Sequence, residues 1–303
     1  MNKKSLDKTI WEINSVKYQG ATNIAQAALK SFYKYSASYK NPNQSIWLEE
    51  MKSTAKYIVD NTRPNEPLAR NGLKYILNRV KDNPNQSALK QSLSEFIALI
   101  NQAREKITKS GKAVINSGDN IYTHCHSSTV EKLLVNTYVR KKFNVYNSET
   151  RPLFQGRITA TRLRARHIPV TMVVDAAVPF LISTTSGRDL MMDKVIIGAD
   201  VIQPDGTIIN KIGSYGIALA AYENKVPVYI AANLLKYSNN LKTKLERRPA
   251  KEVWPKAPRG MEIINFAFDK IPAKYITRII CEFGLIKPTE VKRYLSKHYP
   301  WII

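Results

Sequence analysis

Cysteine is scarce in this chain. Only Cys125 and Cys281 occur in 303 residues, too few for a disulfide framework, so a reducing cytoplasm is the expected compartment. Acidic residues are also few: 24 Asp and Glu stand against 47 Lys and Arg, a formal net charge of +23. Such a field draws anions, whether nucleic acid, anionic lipid or a multiply phosphorylated small molecule. The basic residues are scattered, however, through "RKKF" (140–143), "RLRAR" (162–166) and "KLERRPAKEVWPK" (244–256), as on an ordinary solvated surface. Zinc-finger spacing and an aromatic RNP-like strand are both missing, so nucleic acid is not the expected partner. The longest apolar stretches, such as "VPVYIAANLL" (226–235), are too short to span a bilayer. The segment "MNKKSLDKTIWEINSV" lacks the apolar centre of a leader peptide, so no membrane association is expected. Neither a P-loop nor GxGxxG is found, which argues against nucleotide hydrolysis and ordinary nicotinamide binding.

What is present is an apolar fraction of 44%, ordinary for a folded domain. The length suggests two domains. Apolar residues recur at helical spacing in residues 23–39, 46–62, 68–83 and 87–111. Between them lie the breakers "KNPNQS", "TRPNEP" and "DNPNQS", built on Pro and Asn. The echo of Asn-Pro-Asn-Gln-Ser marks two similar helix starts. Beyond "SGKAVINSGDN" the texture changes to short β-rich runs alternating with helical ones. Examples are "NIYTHC", "NVYNSE", "VTMVVDA", "KVIIGADVI" and "VPVYIAAN". Strands separated by helices imply βαβ units and a parallel sheet covered on both faces. The expected fold is therefore α/β, a helical domain over 1–115 followed by a Rossmann-like parallel-sheet domain over 116–303. The segments 272–284 and 287–300 are expected to be two closing helices.

In open parallel sheets, ligands gather where strands end and loops lead into helices. Cys125, in "THCHSS" (123–128), lies at such an end, with Ser127 or Ser128 placed to cap the next helix. A helix start offers free N–H groups to a phosphate. The plainer alternative is a small buried cysteine beside capping serines. A metal clip is disfavoured, because strand alternation would point His124 and His126 away from Cys125. The run "KVIIGAD" ends at Asp200, a carboxylate that is costly in an apolar layer unless paired or at the strand mouth. Beside Cys125 it would make an acid/base pair; alone it would be a turn-capping Asp before "QPDG". In "TIINKIGSYG" (207–216), Asn210 and Lys211 read as a glycine-containing loop able to clamp phosphate.

Four stretches together carry a family resemblance: "THCHSS", "ETRPLFQGRITA", residues 198–232 from "GADVIQPDG" to "VPVYIAA", and "FAFDKIPAKYIT". They resemble the superfamily of sugar-phosphate isomerases and initiation factor 2B subunits. The cysteine in "THC" points within it to the archaeal ribose 1,5-bisphosphate isomerase branch. That resemblance implies conversion of ribose 1,5-bisphosphate to ribulose 1,5-bisphosphate in AMP breakdown, with no metal or redox cofactor. It implies that Cys125 takes the proton from carbon 2 of the opened sugar and that Asp200 is the proton donor. Ser127, Ser128, Asn210, Lys211, Arg63 of "TRP" and Lys236 of "LLKYS" match positions that hold hydroxyls and phosphates. Gly20 and Ala21 match a substrate loop that reads Arg-Gly-Ala in the family. Here Gln19 replaces the arginine, and the loss of one charged phosphate contact costs about 1.5–3 kcal/mol. Gln155 and Arg151 read as structural as readily as pocket residues. The resemblance further implies a homo-oligomer, a dimer or hexamer. Two relatives of the same fold give alternative readings: non-catalytic initiation factor 2B subunits, and methylthioribose-1-phosphate isomerase, which needs an apolar pocket in place of a second phosphate site.

Overall fold

The computed structural model describes residues 3–187 and 190–303. Its first part is helical: α1 (Lys3–Asn14), α2 (Ala21–Ser38), α3 (Gln44–Asn61), α4 (Pro67–Val80) and α5 (Gln86–Gly111). The repeated pentapeptide starts two of these helices by one device. Asn43 accepts bonds from the Ser45 and Ile46 N–H groups, and Asn85 accepts one from Ala88. Each side chain satisfies donors that a helix start leaves free. Pro67 opens α4, where its missing N–H costs nothing.

The second part alternates strand and helix. It runs β1 (Asn120–Thr123), α6 (Ser128–Tyr138), β2 (Asn144–Ser148), α7 (Gln155–Arg164), β3 (Val170–Val173), α8 (Val178–Ile182) and β4 (Lys194–Ile197). There follow β5 (Val201–Ile202), β6 (Ile208–Lys211), α9 (Ser214–Glu223), β7 (Val228–Ala231), β8 (Phe268–Ile271), β9 (Arg278–Cys281), β10 (Gly284–Ile286) and α10 (Val291–His298). The main sheet has seven strands in the order β3-β2-β1-β4-β7-β9-β10. All pair in parallel except β10, which is antiparallel to β9. A second sheet, antiparallel, has the order β5-β6-β8.

Strand alternation divides the core between the two faces of the main sheet. Tyr122, Val195 and Ile197 join an apolar layer with α9 and the N-terminal helices. Ile121, Val145 and Ile196 face Leu133 of α6, Leu163 of α7 and Ile107 of α5. Helices thus cover both faces, as a parallel sheet requires.

Two expectations change here. Residues 272–284 do not form a closing helix but a 3₁₀ turn followed by β9 and the turn into β10. A short apolar run such as "RIIC" fits a buried strand as well as a helix, and pairing with β7 decides it. Asn210 and Lys211 are not in a loop: they end β6, opposite Asp269 and Phe268 of β8.

Candidate active site

The chain runs β1, β2, β3 to one side and then returns to place β4 on the other side of β1. Between β1 and β4 the direction of winding reverses, and the crevice beyond their carboxyl ends is the expected ligand site. Cys125 follows β1, and Gly198, Ala199 and Asp200 follow β4. Both strand mouths open into one cleft that contains Cys125 and Asp200 together.

β1 ends at Thr123, so strand alternation is not what separates the histidines from Cys125; hydrogen bonding does that. His124 is buried, and its Nε2–H donates to the Ile212 carbonyl at 2.8 Å. Its Nδ1 then accepts from Ser148 Oγ at 3.2 Å, while that oxygen accepts from the Tyr122 hydroxyl at 3.0 Å. Burial holds this imidazole neutral, with its pKa lowered to about 4. His124 is a strut that ties the β1 mouth to the loop after β6. His126 turns elsewhere and donates from Nδ1 to Thr159 Oγ1 at 3.0 Å, whose own proton goes to the Cys125 carbonyl at 2.7 Å. Among the described residues no group of His, Cys, Asp and Glu could hold a metal ion.

Cys125 adopts φ 61°, a conformation rare for a residue with a side chain, and its N–H donates to Thr150 Oγ1 at 3.1 Å. These bonds hold the backbone on both sides and fix the thiol in the cleft. Burial raises its pKa to about 11, and the nearby Lys211 charge pulls in the opposite direction. Ser127 is the N-cap of α6, accepting from Val130 N–H at 3.4 Å, and Ser128 is the first residue of the helix. A side chain at residue 198 would lie 2.9 Å from Ser127 Oγ, so Gly198 lets the β4 mouth approach this helix start. The start of α6, with its N–H groups, therefore lies beside both strand ends.

On the opposite wall Asn210 donates to Ser214 Oγ at 2.9 Å, and Ser214 donates to the Lys211 carbonyl at 2.6 Å. Asp269 of β8 accepts from the Gly213 and Tyr215 N–H groups at 2.7 and 3.0 Å, which fixes the turn into α9. Lys211 Nζ lies 5.2 Å from the Phe268 ring centroid and joins no ion pair among the described residues. The other cations are engaged. Arg63 Nε donates to both Glu246 oxygens at 3.1 and 2.9 Å, and its guanidinium lies 3.5 Å from Glu66. Lys236 is buried and donates to the Ala199 carbonyl at 2.6 Å, its pKa lowered by burial. Arg248 pairs with Glu246 and Glu252.

All ten residues singled out from the sequence, namely Gly20, Ala21, Arg63, Cys125, Ser127, Ser128, Asp200, Asn210, Lys211 and Lys236, line this one cleft. Gln19 lines it too, its amide oxygen buried without a partner. So does Gln155, whose buried Oε1 is also unpartnered, whereas Arg151 turns away to the Val253 carbonyl. Sequence reasoning missed Glu66, Arg248, Glu252 and Phe268. Glu66 stands in "TRPNEP", a segment that reads only as a helix breaker. The available signal was an acid three residues after Arg63, and its burial depends on a segment about 180 positions away.

The model of the initiation factor 2 subunit family matches residues 17–288. A protein of Methanocaldococcus jannaschii named ribose 1,5-bisphosphate isomerase is 33% identical, over 98% of this chain and 96% of its own length. Its namesake in Pyrococcus furiosus is 34% identical, over 96% and 93%. Among solved structures, the Pyrococcus horikoshii translation initiation factor eIF-2B superposes with a TM-score of 0.81 at 25% identity. That match covers 95% of this chain and 98% of that one. The 5-methylthioribose 1-phosphate isomerase of Pyrococcus horikoshii has the same fold, with a TM-score of 0.77 at 24% identity over 97% and 88%. The sheet order, the cleft between β1 and β4, and these likenesses agree: the chain belongs to the initiation factor 2 subunit family.

Proposed function

We propose that this chain isomerises ribose 1,5-bisphosphate to ribulose 1,5-bisphosphate in the breakdown of AMP. The observation that carries the reading is the meeting of Cys125 and Asp200 in one cleft beside a helix start and Lys211. Because the oxygen on carbon 1 is esterified to phosphate, the ketose forms when the ring oxygen leaves carbon 1 and the proton of carbon 2 moves to carbon 1 through an enol phosphate. The chemistry needs a base at carbon 2 and an acid at the departing ring oxygen, both shielded from water. Cys125 as thiolate takes the carbon 2 proton, and Asp200 protonates the ring oxygen as its bond to carbon 1 breaks. The same groups then return a proton to carbon 1 and remove the one on the second hydroxyl. Lys211 and the N–H groups that open α6 hold one phosphate. Arg63 and Lys236 face the other end, together with the Gly20–Ala21 backbone.

A second reading is favoured by one feature. Gln19 is uncharged, Arg63 is already paired with Glu246 and Lys236 is held by the Ala199 carbonyl, which leaves Lys211 as the cleft cation whose side chain has neither a hydrogen bond nor an ion pair among the described residues. With Phe266, Phe268 and Leu153 in the lining, a singly phosphorylated sugar with an apolar substituent, methylthioribose 1-phosphate, fits that balance. Assaying purified protein on both sugars separates the two. Turnover of the bisphosphate alone supports the first reading. Turnover of neither, with tight binding to a translation initiation factor, replaces both with a non-catalytic subunit. The assembly proposed is a cytoplasmic homo-oligomer of dimers, a hexamer, to be measured by sedimentation.

A further inference from the structure

Glu66 occupies the residue before α4, the N-cap position, yet its carboxyl makes no capping bond. It is turned inward instead, with its side chain 3% exposed, and lines the cleft with Asp200 and Lys236. Its Oε1 lies 3.5 Å from Arg63, and its buried Oε2 has no hydrogen-bond partner. The cations around it serve other groups: Arg63 binds Glu246 through both oxygens, and Lys236 is held by the Ala199 carbonyl.

The charge count around this residue does not close. The charged groups facing Glu66 are Arg63, Asp200, Lys236 and Glu246, so two cations meet three carboxyls. Arg248 and Glu252 extend the cluster and offset each other. A buried cluster with one excess negative charge takes up a proton. Glu246 is saturated by Arg63 and Arg248, and Asp200 is partly exposed at the cleft. Glu66 is the deepest of the three, and one of its oxygens is buried without a hydrogen-bond partner. Burial, with Asp200 and Glu246 nearby, raises its pKa to about 8 against the pull of Arg63 and Lys236.

We propose that Glu66 stores the proton that Asp200 delivers to the substrate, acting as a positioning residue through Asp200. This rests on the isomerase reading for its catalytic part. The step balances. Glu66 O–H passes its proton to the Asp200 carboxylate, and Asp200 passes it to the ring oxygen as that oxygen leaves carbon 1, while the Cys125 thiolate takes the proton of carbon 2. In the second half the hydroxyl proton on carbon 2 returns through Asp200 to Glu66, and the Cys125 thiol protonates carbon 1. Nothing is oxidised outside the sugar.

The test uses full-length wild type and Glu66→Gln, which keeps the shape and removes the titration. In the infrared difference spectrum of the two proteins, wild type shows a protonated-carboxyl carbonyl band at neutral pH. That band disappears as pH is raised above about 8. The comparison isolates Glu66 from Asp269 and Glu282, whose pKa values burial also raises. In turnover, the thiol titrates above the carboxyl, near 11 against 8. The population with both a thiolate and a protonated Glu66 therefore grows with pH up to about 8 and then levels. Wild-type kcat/KM is expected to break near pH 8, and Glu66→Gln to lose that break. Its kcat should fall on the order of a hundredfold, with KM little changed, and Glu66→Asp should recover part of it. Absence of the carboxyl band overturns the proposal, as does a Glu66→Gln enzyme that keeps the break. If wild type turns over no sugar phosphate, the isomerase reading fails while the infrared arm still decides where the proton sits.

Discussion

Replacing His124 with glutamine tests whether the histidine beside Cys125 is a structural strut or an acid/base group. The imidazole is 3% exposed and bonded on both ring nitrogens, to Ser148 Oγ and the Ile212 carbonyl. Its folded-state pKa lies near 4, against 6.5 when free. Between those values the unfolded chain binds a proton that the folded chain refuses, so stability falls as pH drops through this window. The difference corresponds to about 3 kcal/mol when the window is fully crossed. Glutamine does not titrate, and its amide can donate to Ile212, but it offers no acceptor at the position of Nδ1. His124→Gln should therefore be less stable than wild type by about 1–2 kcal/mol near neutral pH. The gap should close and reverse as pH falls to about 4. Urea midpoints for the two proteins across that range measure it. Parallel curves would refute the buried neutral histidine, and a wild type that gains stability on acidification relative to the variant would refute the sign.

Two glycines give opposite expectations. A Cβ at Gly156 would sit 1.8 Å from the Ser148 carbonyl oxygen, so Gly156→Ala should cost at least about 3 kcal/mol or prevent folding. Gly216, within α9, has nothing within 4 Å of the same atom. Gly216→Ala should accordingly stabilise by about 0.5–1 kcal/mol, and thermal melts compare the pair. Lys211→Met should raise KM for a phosphorylated sugar about ten- to hundredfold, the worth of one charged contact. Circular dichroism should stay unchanged, since Lys211 has no ion pair among the described residues to lose.

The sequence carried the parts of this molecule that local pattern controls. The Asn43 and Asn85 caps, the parallel strands and the residues that follow β1 and β4 could all be read from short segments. The cysteine and aspartate were legible because each follows a short β-rich run. Long-range pairing was not. β6 is a strand because β8 pairs with it from far along the chain, and β9 is one because β7 offers it an edge. The engagement of Arg63 was equally hidden, since its partner Glu246 lies 183 positions away. That partner turns a residue expected to meet phosphate into the centre of a buried charge cluster. Glu66 became visible only with that cluster.

In the proposed reaction Cys125 and Asp200 act together in isomerising a phosphorylated ribose, the thiolate at carbon 2 and the acid at the ring oxygen. The most direct test is the turnover of ribose 1,5-bisphosphate by wild type, Cys125→Ser and Asp200→Asn, each first shown to melt near the wild-type temperature. Conversion by wild type, with each substitution lowering kcat by on the order of a hundredfold or more, is the predicted result. Either variant, folded and turning over the sugar at the wild-type rate, would contradict it.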